Sequence, residues 1–160
     1  MIAVCDTSPL ILLGKISRMG LLPRLYDKVI IPSSVLAELD MKPGEEAKQV
    51  HGMLQTQTFC LHNASKKILS ELPADLGVGE REAIALAIET KVDLVILDDQ
   101  QGRSVAWEKG LSATGTIGVI IEGRERGLIT SVRREMDHLI EAGMWIGEKF
   151  YHRVLQEFGE

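Results

Sequence analysis

Leu94-Val95-Ile96-Leu97 is an unbroken apolar run that stops at a pair of acids, Asp98-Asp99. A strand with one wet face alternates polar and apolar side chains, so a short run that is apolar at every position needs cover on both faces. That is the situation of a central strand in a parallel sheet. Two earlier stretches share the design: Ile2 to Cys5 ends at Asp6, and Val29-Ile30-Ile31 is stopped by Pro32. Thr58 to Leu61 and Leu111 to Ala113 read as further short strands.

Helical signals fall between these runs. Ser8 is a good N-cap and Pro9 suits a first helical position, which predicts a helix from Pro9 to about Gly14. Ser33 or Ser34 can cap a helix carrying Val35, Leu36, Glu38 and Leu39, and Pro43-Gly44 breaks it. Polar positions from Glu45 to Leu54 and a stretch from Ser65 to Leu72 predict two more helices. Gly77-Val78-Gly79 reads as a turn before the clearest helix, Glu80 to Thr90. Helices near Ser104 to Lys109, after Gly115-Thr116, from Val132 to Glu141 and from Glu148 to Phe158 complete the chain. Strands alternating with helices predict an α/β three-layer sandwich, a central and mainly parallel sheet flanked by helices.

The chain has 160 residues, the size of one ordinary domain, and shows no internal repeat or low-complexity tract. The expectation is a single domain over 1–160, with 126–160 a helical extension packed on the core. Aromatics make up only 4% of a chain that is 45% hydrophobic, so Leu, Ile, Val and Ala must fill the interior. Cys5 and Cys60 lack metal-ligand or redox spacing, and reduced thiols fit a cytoplasmic location. No targeting signal is visible, and no apolar stretch approaches the ~20 residues of a membrane span, so no membrane partner is expected. The formal charge of −5 argues against broad electrostatic attraction to nucleic acid.

The acids have a pattern of their own. In open α/β sheets, ligands bind beyond the carboxyl ends of the strands. Asp6 ends the first strand, and Asp98 with Asp99 ends the best-defined one. Glu80 heads the stripe Glu80, Ala83, Ile84, Ala87, Ile88, one face of a helix. Glu82 belongs to another stripe, with Leu86 and Glu89, and is expected to face solvent, although a small rotation of the helix would bring it in. Glu38 lies at the rim of its helix's apolar face. Gathered together, Asp6, Glu38, Glu80, Asp98 and Asp99 would repel one another unless a cation intervened. Oxygen donors without His or Cys select Mg2+ or Mn2+. Carboxylate-held ions of this kind drive attack of water on phosphodiesters and would answer the charge objection. Arg81 and Arg103 are candidates for holding phosphates of RNA.

The residues resemble the PIN domain, a metal-dependent nuclease fold. The resemblance lies in Asp6-Thr7-Ser8-Pro9-Leu10-Ile11, Ile31-Pro32-Ser33-Ser34-Val35-Leu36-Ala37-Glu38, Gly79-Glu80-Arg81-Glu82-Ala83-Ile84-Ala85-Leu86-Ala87, Leu97-Asp98-Asp99-Gln100-Gln101-Gly102-Arg103 and Gly115-Thr116-Ile117-Gly118. It spans about residues 1 to 125 and is nearest a little-characterised prokaryotic branch. It implies a parallel sheet, Mg2+ or Mn2+, and hydrolysis of RNA, with Asp6, Glu38, Glu80 and Asp98 in the four acidic places. Asp6, Glu80, Asp98 and Asp99 are the expected metal ligands, with Glu82 and Ser8 secondary. Better-known relatives are toxins of toxin–antitoxin pairs, which makes an antitoxin protein a candidate partner, and PIN domains commonly form homodimers. The third acid in those toxins is commonly Asp, where this chain has Glu; aligning on Glu82 instead would move the fourth place to Asp99. Residues beyond 125 exceed a minimal toxin. Their apolar residues, Trp145, Ile146, Phe150, Tyr151, Val154, Leu155 and Phe158, are expected to pack on the core or on a second subunit.

Several rival readings compete, among them a signalling receiver domain, which would need paired acids at the first strand's end where this chain has Cys5-Asp6. A PIN-fold protein that binds RNA or a protein without cutting would keep the fold and lose the chemistry. A phosphotransfer enzyme of the haloacid dehalogenase kind needs a second Asp two residues after the first, where this chain has Ser8. A dinucleotide site needs a Gly-rich phosphate loop, which Asp6-Thr7-Ser8 does not supply.

Overall fold

The computed structural model describes every residue from 1 to 160 except Pro43. Among the described residues, five strands pair in parallel throughout: β1 (Ile2–Cys5), β2 (Lys28–Pro32), β3 (Phe59–His62), β4 (Leu94–Ile96) and β5 (Ala113–Thr114). Their order across the sheet is β3-β2-β1-β4-β5. The chain therefore starts in the middle, builds outward to one edge, then returns beside β1 to build the other. Val4 pairs with Ile30 on one side and with Val95 on the other.

The period of two along each strand divides the interior. Ala3, Cys5, Val29, Ile31 and Ile96 face one core, whereas Val4, Ile30, Val95 and Leu97 face a second on the opposite side of the sheet. The first core is covered by α1 (Thr7–Lys15), α2 (Leu22–Leu25), α3 (Ser33–Met41), α4 (Glu45–Met53) and α8 (Thr116–Glu125). The second lies under α5 (Lys66–Ser70), α6 (Val78–Thr90) and α7 (Gln100–Glu108). Helices on both faces explain why the strands read as continuous apolar runs. This is the three-layer architecture that the alternation predicts. No helix among the described residues is long and apolar enough to cross a membrane.

α6 is buried along most of its length, from Gly79 and Glu82 through Ala87. It lies over β1, β2 and β4 and is flanked by α3, α5 and α7. Ala83, Ala85 and Ala87 are fully buried; short side chains let the helix approach the sheet closely at little entropic cost. Val78 at the start of the helix faces solvent, but Glu82 points into the enclosed side, which corrects its expected exposure.

The chain ends in α9 (Val132–Glu141) and α10 (Glu148–Glu157), and both pack on the first core through Val132, Met136, Leu139, Val154 and Leu155. Each such buried side chain contributes roughly 1.5–3 kcal/mol. Arg18, just after α1, pairs with Glu135 of α9 at 2.6 Å, with Glu135 only 1% exposed. The Glu160 carboxylate closes the start of α9, accepting from the Ser131 hydroxyl and the Val132 amide. The apolar C-terminal residues divide. Val154 and Leu155 are buried, Ile146, Tyr151 and Phe158 pack partly on the core, and Trp145 and Phe150 stay exposed.

Several boundaries differ from expectation for local reasons. α1 begins at Thr7, so Asp6 and not Ser8 is the boundary residue. α7 begins at Gln100, four residues earlier than expected, because Asp99 caps it. The Gly77-Val78-Gly79 turn is largely the first turn of α6. Pro43, half of the expected break between α3 and α4, lies outside the described residues.

Candidate functional site

Adjacent parallel strands deliver side chains past the same edge. The Asp6 amide donates to the Ile96 carbonyl at 2.9 Å, continuing the pairing of β1 with β4 beyond Cys5. Asp6 and Asp98 thus leave neighbouring strands at their carboxyl ends. Glu38 comes from α3, after β2 on the other side of β1, and Glu80 from the first turn of α6. All four acids line one open hollow of about 600 Å³, together with Thr7, Ser8 and the α9–α10 loop at Gly143 to Trp145. Among the described residues that line it, none is basic.

Asp98 is the most firmly held. Thr116, at the start of α8, donates to it twice, from its amide at 2.7 Å and its hydroxyl at 2.7 Å, and the Ser8 hydroxyl donates at 3.0 Å. Ser8 is therefore a support for Asp98. Thr116, fully buried, is a site residue with no signal in the sequence beyond its place after Gly115 at a helix start. Asp6 is the most buried of the four acids in the hollow, 4% exposed. Burial pushes its carboxyl up to about 7; the Thr7 backbone N–H pulls the other way, while Glu80, Glu38 and Asp98 add to the rise. Glu80 is raised by burial first, then by Asp99 and Glu38, and its carboxyl turns back toward the amides of Gly77 and its own residue. Behind them, Cys5 is held a thiol by burial.

Gly79 sets how closely these groups meet. A side chain there would begin 2.8 Å from Glu38 Oε1, 2.9 Å from Asp6 Oδ1 and 3.4 Å from Thr7 Oγ1. The absence of a Cβ lets the backbone of α6 press against both carboxylates. In the sequence Gly79 reads as a turn residue, and its only signal for this role is its position just before Glu80.

The remaining candidates have other engagements. Glu82 is 8% exposed, and its carboxylate accepts the amides of Ser34 at 3.1 Å and Ala64 at 3.4 Å. It joins α6 to the starts of α3 and the loop after β3, and it does not line the hollow. Asp99 is exposed and accepts the Gly102 amide at 2.7 Å as the cap of α7. Arg103 is held by the Asp98 carbonyl at 3.2 Å and Gln100 Oε1 at 3.0 Å, beside the hollow. Arg81 is half-buried and is not among the lining residues.

The donor set fits a hard divalent cation in kind: carboxylates, with the Thr7 hydroxyl buried beside them and without a hydrogen-bond partner. A cation would also relieve the repulsion that raises Asp6. Among the described residues, no three acidic, His or Cys side chains converge as a finished metal site does. The four acids share one hollow with Glu80 turned aside.

A family profile described as PIN domain matches residues 2–160. Comparison with curated proteins gave no match. Among solved structures, the chain is similar to a PilT N-terminus domain protein from the hyperthermophilic archaeon Sulfolobus solfataricus P2. The likeness has a TM-score of 0.50 at 19% identity and covers 76% of this chain and 92% of that one. That likeness concerns the fold, and the profile spans nearly every residue, the two C-terminal helices included. The chain belongs to the PIN-domain family.

Proposed function

We propose that this chain is a Mg2+- or Mn2+-dependent endoribonuclease, with Asp6, Glu80 and Asp98 as metal ligands and Glu38 completing the catalytic set. The observation that carries the reading is that acids from four separate stretches of chain border one hollow with no basic side chain among the described residues that line it. PIN domains are in general nucleases, which agrees with it. When bound, such an ion supplies Lewis-acid chemistry toward the phosphate and a more acidic attacking water.

The protein's own part divides among the acids. Asp98, fixed by Thr116 and Ser8, holds one defined orientation. Asp6, deep and partly desolvated, gives up its proton on loading. Glu38, the most exposed of the four, takes the proton of the attacking water. Ile11 and Leu12 form an apolar wall beside them. Arg103, at the boundary, offers a charge to a flanking phosphate. In this reading Asp99 contributes field and a helix cap rather than a ligand bond. The setting we infer is cytoplasmic, in keeping with two free thiols, and a toxin role with an antitoxin partner is its natural extension.

The test is cleavage of varied single-stranded and structured RNAs with Mn2+ present and with it chelated. Asp6→Asn and Asp98→Asn should each abolish metal-stimulated cleavage with the fold retained, and full activity in both would refute the assignment. A second reading, a PIN-fold protein that binds RNA or protein without cutting, agrees with the fact that among the described residues no three acidic, His or Cys side chains converge. Tight RNA binding with no Mn2+-dependent cleavage would select it.

A further inference from the structure

We propose that the C-terminal segment gives this nuclease a track for single-stranded RNA, leading from the acidic hollow onto the surface between α7 and α10. The inference rests on the nuclease reading above. A second cavity, of about 1110 Å³, adjoins the hollow, and the two share Asp98, Met144 and Trp145 in their walls. Aromatic residues are rare here, yet both tryptophans of the chain line this cavity. Trp145 is 87% exposed and Trp107 52%, with Phe150 beside them at 38%. Side chains of this kind are normally buried, and their exposure together marks a surface that something covers.

The charges indicate what covers it. Arg103, Lys149 and Arg153 line the same cavity, against Glu148 and Asp98. The Arg153 guanidinium carbon lies 5.4 Å from the centre of the Phe150 ring, which sets a phosphate partner next to a stacking face. Aromatic faces interleaved with cations are the surface that unpaired bases and their backbone require. The centre of a protein–protein contact is instead depleted of charge. A duplex, with its bases stacked on each other, has none free for Trp145. The local track also meets the objection from net charge, since the cations needed are gathered at the entrance to the acids.

The test needs no catalysis. In EDTA, a labelled oligouridylate should bind and quench tryptophan fluorescence, and an RNA duplex of the same length should bind at least about tenfold more weakly. Trp145→Ala, a change at an exposed position, should weaken binding of the single strand about tenfold. Arg153→Gln should also weaken it and reduce the slope of log K against log salt by about one. Unchanged binding in Trp145→Ala overturns the track. So does loss of self-association in that variant, seen by sedimentation, with RNA affinity intact; the face would then be an interface between copies. Trp145-dependent binding without cleavage in any metal would leave the track standing and remove the nuclease reading. Cleavage by wild type that Trp145→Ala leaves unaltered, with equal binding, would do the reverse.

Discussion

Glu82 Oε2 accepts the backbone N–H of Ser34 at 3.1 Å, tying the helix that bears Glu80 to the start of the helix that bears Glu38. The same carboxylate takes the Ala64 amide at 3.4 Å. Glu82 is thus a brace between two arms of the site, where the helical stripe alone pointed it at solvent.

That contact separates two neighbouring glutamates. Glu82→Gln presents an amide group to backbone donors and should cost about 1–3 kcal/mol, lowering the thermal midpoint while cleavage per folded molecule falls only modestly. Glu80→Gln should do the opposite, leaving the midpoint unchanged or raised in metal-free protein and removing cleavage. Calorimetry beside a cleavage assay reads both, and the reverse order would overturn the division of roles.

Asp6 makes metal-free stability depend on pH. Its folded value of about 7 stands above the ordinary 3.8, so between those values the folded chain keeps a proton that the unfolded chain has released. Stability from this group is therefore lost as pH rises through that window, and the full penalty stands above it. Asp6→Asn should raise the stability of metal-free protein at about pH 8 by something on the order of 2–4 kcal/mol and change it little at about pH 4. Added Mn2+ should stabilise wild type at the higher pH and not the variant. Denaturant titrations at the two pH values check the sign.

Gly79→Ala tests the close approach. Alanine gains about 1 kcal/mol of helix propensity over glycine, but its Cβ would meet Glu38 Oε1 at 2.8 Å and Asp6 Oδ1 at 2.9 Å. The expected result is a near-native circular dichroism spectrum with Mn2+ affinity and cleavage down about tenfold or more, a loss of ~1.4 kcal/mol. Wild-type cleavage would show that the carboxylates yield freely.

The adjacent aspartates should separate in the same way. Asp99→Ala removes the cap on the Gly102 amide and should cost about 1 kcal/mol, with cleavage largely kept. Asp98→Asn should cost little stability and remove cleavage. Equal loss of cleavage in both would return Asp99 to the ligand set.

Arg18→Met would leave Glu135 buried without its strongest partner. The pair is partly open to solvent on the arginine side, so the expected cost is about 2–4 kcal/mol, read as a lower urea midpoint. Pairing it with Glu135→Gln should recover part of the loss. No recovery would mean that Arg18 acts through its packed stem.

Much of this architecture was legible in the order of residues. Apolar runs ending at Asp6, Pro32 and Asp98 identified three strands, because a strand covered on both faces can carry no polar side chain. The alternation with helices identified the parallel sheet, and the four acids that line the hollow were all named from sequence. The partners of those acids were not legible. Helical periodicity says which residues share a stripe; it does not say which stripes are enclosed, and α6, packed against the sheet and three helices, encloses more than one. Glu82 is buried for that reason, although its stripe reads as solvent-facing. Likewise Ser8 reads locally as a cap, and only the pairing of β1 with β4 brings Asp98 within reach of its hydroxyl. The sequence by itself determined most of the elements and which acids stand at the strand ends. The tertiary structure decided the strand order, and with it which carboxylates share a hollow, which serve as braces and caps, and where the two tryptophans are left exposed. These are long-range relations, set by pairing and packing between segments that carry no local signal of one another.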